Sequence, residues 1–290
     1  MVGTIPSELV ALESLTLISL ANNELSGTIP SAIGTFPRLS FLRLDTNYLT
    51  GTIPESIQDL INLERIYIFE NQLSGTIPPG ITMNSNLVTF LAYKNQLSGT
   101  VPEFATRARI ETIQLEFNFL TGAIPISLFF LNRLEIAIMS NNLLTGSISA
   151  GFGQLTGLEV FEFQNNDLTG PIPSEIGSLR RLRMLNLRQN QFSGSIPSEL
   201  GSVETLTHVD MSTNRLTGTL PSELAGLKNL KEFSAGSNSL TGSVPASLGS
   251  LKNIGEHKYV RDSSGIIARQ IPRTVLMSSL FVLSHERTAQ

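Results

Sequence analysis

Three side chains in this 290-residue sequence have the types that hydrolytic chemistry requires. His208 and Asp210 are two residues apart, which puts both on one side of a β-strand, and Ser234 follows 24 residues after Asp210. To work together they would need mutual hydrogen-bond reach and an oxyanion hole beside them. A flat sheet face offers no such nest, so catalysis is not expected of the trio, and His208 is better suited to a pH-sensitive surface contact. Gly151-Phe152-Gly153 with Gly157 imitates a phosphate loop, but no helix follows to hold a phosphate. His208, Asp210 and Glu232 are too few to hold a metal ion, and no EF-hand-type loop is present. His257 and His285 lie in a C-terminal stretch without assignable geometry. The sequence has no cysteine, which removes disulfides, thiolate metal sites and a cysteine nucleophile. A net charge of −4 gives no general attraction for phosphate backbones, so no nucleic-acid partner is expected. The expectation is a binding protein without cofactor or metal, and not an enzyme.

The elements that position these residues follow from a repeat. An asparagine recurs at Asn23, Asn47, Asn71, Asn95, Asn118, Asn142, Asn166, Asn190, Asn214 and Asn238, at intervals of 24 apart from one of 23 between Asn95 and Asn118. These ten positions define coils one to ten. Leu (Phe at Phe192) stands two residues after each asparagine, Ser or Thr three after, and Gly four after. Ile-Pro or a close variant follows at six and seven; the one lost proline is at Ser149. The stretch before each asparagine alternates apolar and polar, as in Leu42-x-Leu44, which predicts a short strand with one buried face. The asparagine turns the chain, and its amide can pair backbone groups of the adjoining coil. One coil cannot bury its own apolar side, so the coils stack into a continuous core and form one elongated domain.

LxxLxLxxN followed by (S/T)GxIP resembles the plant-type leucine-rich repeats of receptor-like kinases, receptor-like proteins and polygalacturonase-inhibiting proteins. The resemblance implies an α/β leucine-rich-repeat solenoid of about ten 24-residue coils. Such a solenoid is a right-handed superhelix with a parallel sheet on the concave face, short extra strands beside it and 3₁₀ turns on the convex face. Residues 1–254 are assigned to it, starting mid-repeat at Gly3-Thr4-Ile5-Pro6 without a cysteine-paired cap. Residues 255–290 are read as a degenerate coil and a non-repeat tail. The N-terminus has no signal-peptide pattern, and Val275–Leu283, the longest apolar run near the C-terminus, is too short to span a membrane. The chain is expected to be a piece of a longer surface protein, placed outside the cell or at its surface by resemblance; the absence of a signal peptide leaves the cytoplasm open.

Positions six, four, two and one before each asparagine are left free by the repeat and face the concave side. Coils three to six place Tyr67, Phe69, Leu91, Tyr93, Phe117 and Ile138 there, with Arg43, Arg65, Lys94, Glu116 and Glu162 around them. Exposed aromatics inside a charged rim are the usual make-up of a protein-interaction surface. These eleven residues are the candidate ligand site. The expected function is protein or peptide recognition by a cell-surface receptor-like protein that transmits a signal, acting as a monomer or a co-receptor partner. Two alternatives are a secreted inhibitor of a glycan-degrading enzyme, which would use the same face, and an intracellular interaction scaffold.

Overall fold

The computed structural model describes residues 1–8 and 14–251. The expected domain boundary at 254, the degenerate coil and the tail lie outside the described residues. Ten three-residue strands, from Leu17–Ser19 to Glu232–Ser234, form one parallel sheet in chain order, one strand per coil. In each strand the middle residue enters the core, as Leu42, Ile66, Phe90, Ile113 and Phe161 do, while its two neighbours face the concave side. The sheet register survives the short fifth coil: Thr89 pairs with Thr112 and Thr112 with Ile136. The missing residue is absorbed on the opposite side, where residues 101–108 form no helix.

What stops each strand after three residues is a left-handed residue directly before the asparagine. All ten such positions have φ between 51° and 58°, although none is glycine. This conformation turns the chain and aims the asparagine inward, at a local cost that only the surrounding coils can sustain. Asn142 shows the result. Its Oδ1 accepts from the Leu120 N–H at 2.9 Å in the coil before. Its Nδ2 donates to the carbonyls of Leu115 at 3.0 Å, Met139 at 3.2 Å and Ser140 at 3.2 Å. The same pattern repeats in neighbouring coils, so the amides form a ladder along the solenoid.

Beyond most of the asparagines the chain forms short parallel strands on the flank, among them Gln96–Thr100 and Phe119–Ala123. The glycine there is required: Gly51 has φ +74°, and a Cβ on it would lie 2.8 Å from the Thr28 methyl of the preceding coil. On the convex side, among the described residues, eight complete 3₁₀ turns, such as Glu55–Asp59 and Ser174–Ser178, start after a proline or its substitute. Where the proline is lost, Ser149 takes its place and caps the turn through a bond from the Gly151 N–H at 3.2 Å. Inside coils five to seven Phe129, Phe152, Phe161 and Phe163 pack ring to ring, with Phe161 and Phe163 stacked at 4.1 Å. Phe152 is therefore a core residue, as its place in the leucine column predicts. Among the described residues no helix is long and apolar enough to cross a membrane.

Candidate functional site

The concave face inherits its order from the sheet register. The position four before each asparagine runs Ser19, Arg43, Tyr67, Leu91, Gln114, Ile138, Glu162 across adjacent strands. This order divides the predicted set. Tyr67 and Leu91 are neighbours, and Gln114 stands between Leu91 and Ile138 in the same column. Phe117 is a left-handed turn residue at the strand exit, and it is half exposed.

The aromatic residues of coils two to four do come together. The rings of Phe41 and Tyr67 meet edge to face at 4.8 Å. Tyr67 and Phe69 lie 6.4 Å apart, and Phe69 stacks on Tyr93 at 4.4 Å with the planes 10° apart. Such contacts add about 0.5–1.5 kcal/mol each beyond their buried area and hold the rings as one shelf. The Arg65 guanidinium sits 5.9 Å from the centre of the Phe41 ring, within cation–π range. Phe41 lies outside the predicted set, although its place six residues before Asn47 puts it on this face.

Two ion pairs edge the shelf. Arg43 Nε meets Asp45 Oδ1 at 3.0 Å, and Asp45 is buried. That hydrogen bond raises the Arg43 pKa above its ordinary value. The Arg43-x-Asp45 spacing, which puts both on one strand side, is the sequence signal that could have revealed the pair. Lys94 Nζ meets Glu70 Oε1 at 2.6 Å, and this bond holds the Glu70 carboxyl below its ordinary range. Both partners are substantially exposed, so the pair organises the rim more than it stabilises the fold. Burial raises the Tyr93 phenol above its usual value.

Glu116, one coil beyond Tyr93, differs from the other acidic groups. Burial pushes its carboxyl up to about 7, and the charge of Glu162 adds to the effect. Its Oε2 is buried without a hydrogen-bond partner, as is Oε1 of Gln164 two coils on.

The concave face of coils seven to ten holds a depression of about 470 Å³ lined by Gln164, Met184, Asn186, Arg188, His208, Asp210, Glu232 and Ser234. The hydrolytic trio shares this hollow but not a relay. Asp210 Oδ1 takes the Ser212 N–H at 2.9 Å and the Ser212 hydroxyl at 2.6 Å, while His208 Nδ1 meets the Thr207 hydroxyl at 2.8 Å. The carboxylate thus orients a turn, not the imidazole. Among the described residues no group of three or more His, Asp or Glu side chains is arranged to hold a metal ion.

Comparison with known proteins agrees with this architecture. The Leucine Rich Repeat family model matches residues 14–36, 38–60, 62–83, 157–179, 181–203 and 205–227. No curated protein matches the chain. Among solved structures it is similar to the ectodomain of the plant membrane receptor kinase GASSHO1/SCHENGEN3 from Arabidopsis thaliana, solved with CASPARIAN STRIP INTEGRITY FACTOR 2. The two are 34% identical with a TM-score of 0.76, over 90% of this chain and 34% of the other. A TDR receptor is 33% identical with a TM-score of 0.83, over 89% of this chain and 46% of the other. The Arabidopsis receptor kinase HAESA, solved with the peptide hormone IDA and the co-receptor SERK1, is 28% identical with a TM-score of 0.75, over 90% and 52%. The chain thus spans between a third and about half of the length of these receptors.

Proposed function

We propose that this leucine-rich-repeat solenoid, built like the ectodomains of plant receptor kinases, is the peptide- or protein-recognition part of a cell-surface receptor-like protein. The ligand lies along the concave sheet, anchored on the aromatic shelf of Phe41, Tyr67, Phe69 and Tyr93. The shelf carries the reading. Four ring-to-ring contacting aromatics on a solvent-facing sheet leave apolar area that a bound chain would cover, and Arg65, Arg43 and Lys94 supply a polar rim for its orientation. HAESA, of the same architecture, was solved with a peptide hormone and a co-receptor, which supports a peptide ligand and a second receptor chain here. Recognition without catalysis suits a face on which Asp210 is committed to Ser212.

The test is the triple variant Tyr67→Ala, Phe69→Ala, Tyr93→Ala, measured for binding to peptides selected on the wild-type chain. None of the three is a core residue, so the thermal midpoint should move little while affinity drops by a hundredfold or more, as expected when clustered aromatic anchors are truncated. Unchanged affinity would exclude the shelf as the ligand site. In the same samples, inhibition of a glycan-degrading enzyme would point to the inhibitor role instead.

A further inference from the structure

We infer that the concave floor from Glu116 to Gln164 seats a cationic side chain of the ligand, an arginine or lysine; this rests on the recognition reading above. The position two before the asparagine reads Tyr93, Glu116, Ser140, Gln164 in four successive coils. Backbone bonds Lys94 N to Glu116 O, Phe117 N to Ser140 O and Asn141 N to Gln164 O join these coils. The floor therefore begins where the aromatic shelf ends and stops at Gln164, on the margin of the hollow of coils seven to ten.

This stretch has acceptors without donors. Glu116 Oε2 and Gln164 Oε1 are buried with no partner. Leaving such groups unpaired is costly, and structures ordinarily satisfy them. The amides close by are already engaged with their neighbours: Asn165 Nδ2 donates to Asn141 Oδ1 at 2.7 Å, and Asn141 Nδ2 donates to the Ser140 hydroxyl at 3.3 Å. The Lys94 ammonium is engaged by Glu70 at 2.6 Å. Glu162 adds a second carboxylate whose field reaches Glu116. What completes the set is a donor that also carries positive charge. A guanidinium brings five N–H donors with its charge, and an ammonium brings three.

The charged state of Glu116 then governs the interaction. The groups that face it are Tyr93 and Lys94 from coil four and Glu162 from coil seven, while coil six presents the neutral Ser140 and Asn141. With its carboxyl at about 7, Glu116 is ionised at pH 8 and protonated at pH 6, so a cation is held at the higher pH and released at the lower.

A random peptide library displayed on phage, panned on the purified full chain at pH 8, tests this. The expected binders share an arginine or lysine at a fixed place. Synthetic copies should lose about tenfold in affinity between pH 8 and pH 6. They should lose a similar amount on Glu116→Gln at pH 8, with the remaining affinity independent of pH; circular dichroism verifies the fold of each variant. Binders that need Tyr67 but lack a shared basic residue, or that bind Glu116→Gln as tightly as wild type, overturn this assignment and leave the recognition reading standing. A library that yields no binders, or only binders indifferent to Tyr67→Ala, overturns both.

Discussion

Replacing one rung of the asparagine ladder tests why these coils stack. In Asn142→Ala the Leu120 N–H, which has only Asn142 Oδ1 at 2.9 Å, becomes a buried unpaired donor. That alone costs about 1–3 kcal/mol, and the Leu115 carbonyl in the coil before loses a partner worth about 0.5–1.5 kcal/mol. The expected loss is roughly 2–4 kcal/mol in urea unfolding, with hydrogen exchange at Leu120 accelerated most. Asn142→Asp is the sharper variant. It keeps an acceptor for Leu120 but turns a carboxylate toward the carbonyls of Leu115, Met139 and Ser140, which the amide served as donor. Acceptor against acceptor inside a buried site should make Asp worse than Ala at pH 7 and bring the two closer at low pH, where the carboxyl regains a proton. Asn23 is the internal control, because its amide donates only within its own coil, to Leu20 and Ala21, and its Oδ1 accepts from the exposed Met1 ammonium at 2.6 Å instead of a buried backbone N–H. Asn23→Ala should cost under about 1 kcal/mol. If Asn142→Asp were as stable as wild type at pH 7, or Asn23→Ala as damaging as Asn142→Ala, the ladder would not be what ties the coils together.

Other perturbations probe separate parts of the argument. Glu116 binds its proton more tightly when folded, since its carboxyl lies at about 7 instead of 4.5, so stability should fall as pH rises from about 4.5 through about 7. The full shift corresponds to about 3.4 kcal/mol, and solvent screening of this partly exposed carboxyl brings the loss to roughly 1–2 kcal/mol; urea midpoints of Glu116→Gln should show that part of the pH dependence gone and greater stability than wild type at pH 8. Gly51→Ala forces a side chain into φ +74° with its Cβ 2.8 Å from the Thr28 methyl, and about 1–3 kcal/mol of stability should be lost on thermal unfolding. Phe161→Ala empties a fully buried ring site between Phe152 and Phe163 and should cost about 3–5 kcal/mol by chemical denaturation, whereas Phe117→Ala, at an exposed turn, should cost far less.

The periodic features were legible because each recurs. Leu42, Asn47, Gly51 and their counterparts announce the strand, the ladder and the flank through position alone. The left-handed residue before each asparagine was not legible. Thr46, Glu70, Lys94, Phe117 and Gln189 share no preference for positive φ; the tertiary stacking imposes it, and only Asn22, Asn141 and Asn165 hint at it. The candidate site was legible by face and not by grouping. Counting back from each asparagine placed Tyr67, Phe69 and Tyr93 on the concave side, but their ring contacts with one another and with Phe41 depend on rotamers. The unpaired oxygens of Glu116 and Gln164 depend on which neighbouring amides are already engaged, which spacing does not encode.

The division of labour within each coil also gives the concave face a direction. Leucine, asparagine and glycine positions are consumed by stacking, so selection for a ligand can act only on the free columns without disturbing the core. Along those columns the character changes in order. Coils two and three carry Arg43 and Arg65 beside the first rings, coils three and four carry the stacked Phe69 and Tyr93, and coils five to seven carry Glu116 and Glu162 with acceptors to spare. An extended ligand lying across the strands would meet these zones in sequence, and its complement is an acidic end, an apolar middle and a basic end. Peptides built with that order and with its reverse have the same composition and net charge, so composition-driven attraction treats them alike. Orientation-dependent binding separates them: the forward peptide should bind measurably more tightly, and equal affinities would mean that the charges at the two ends of the shelf do not act on the ligand.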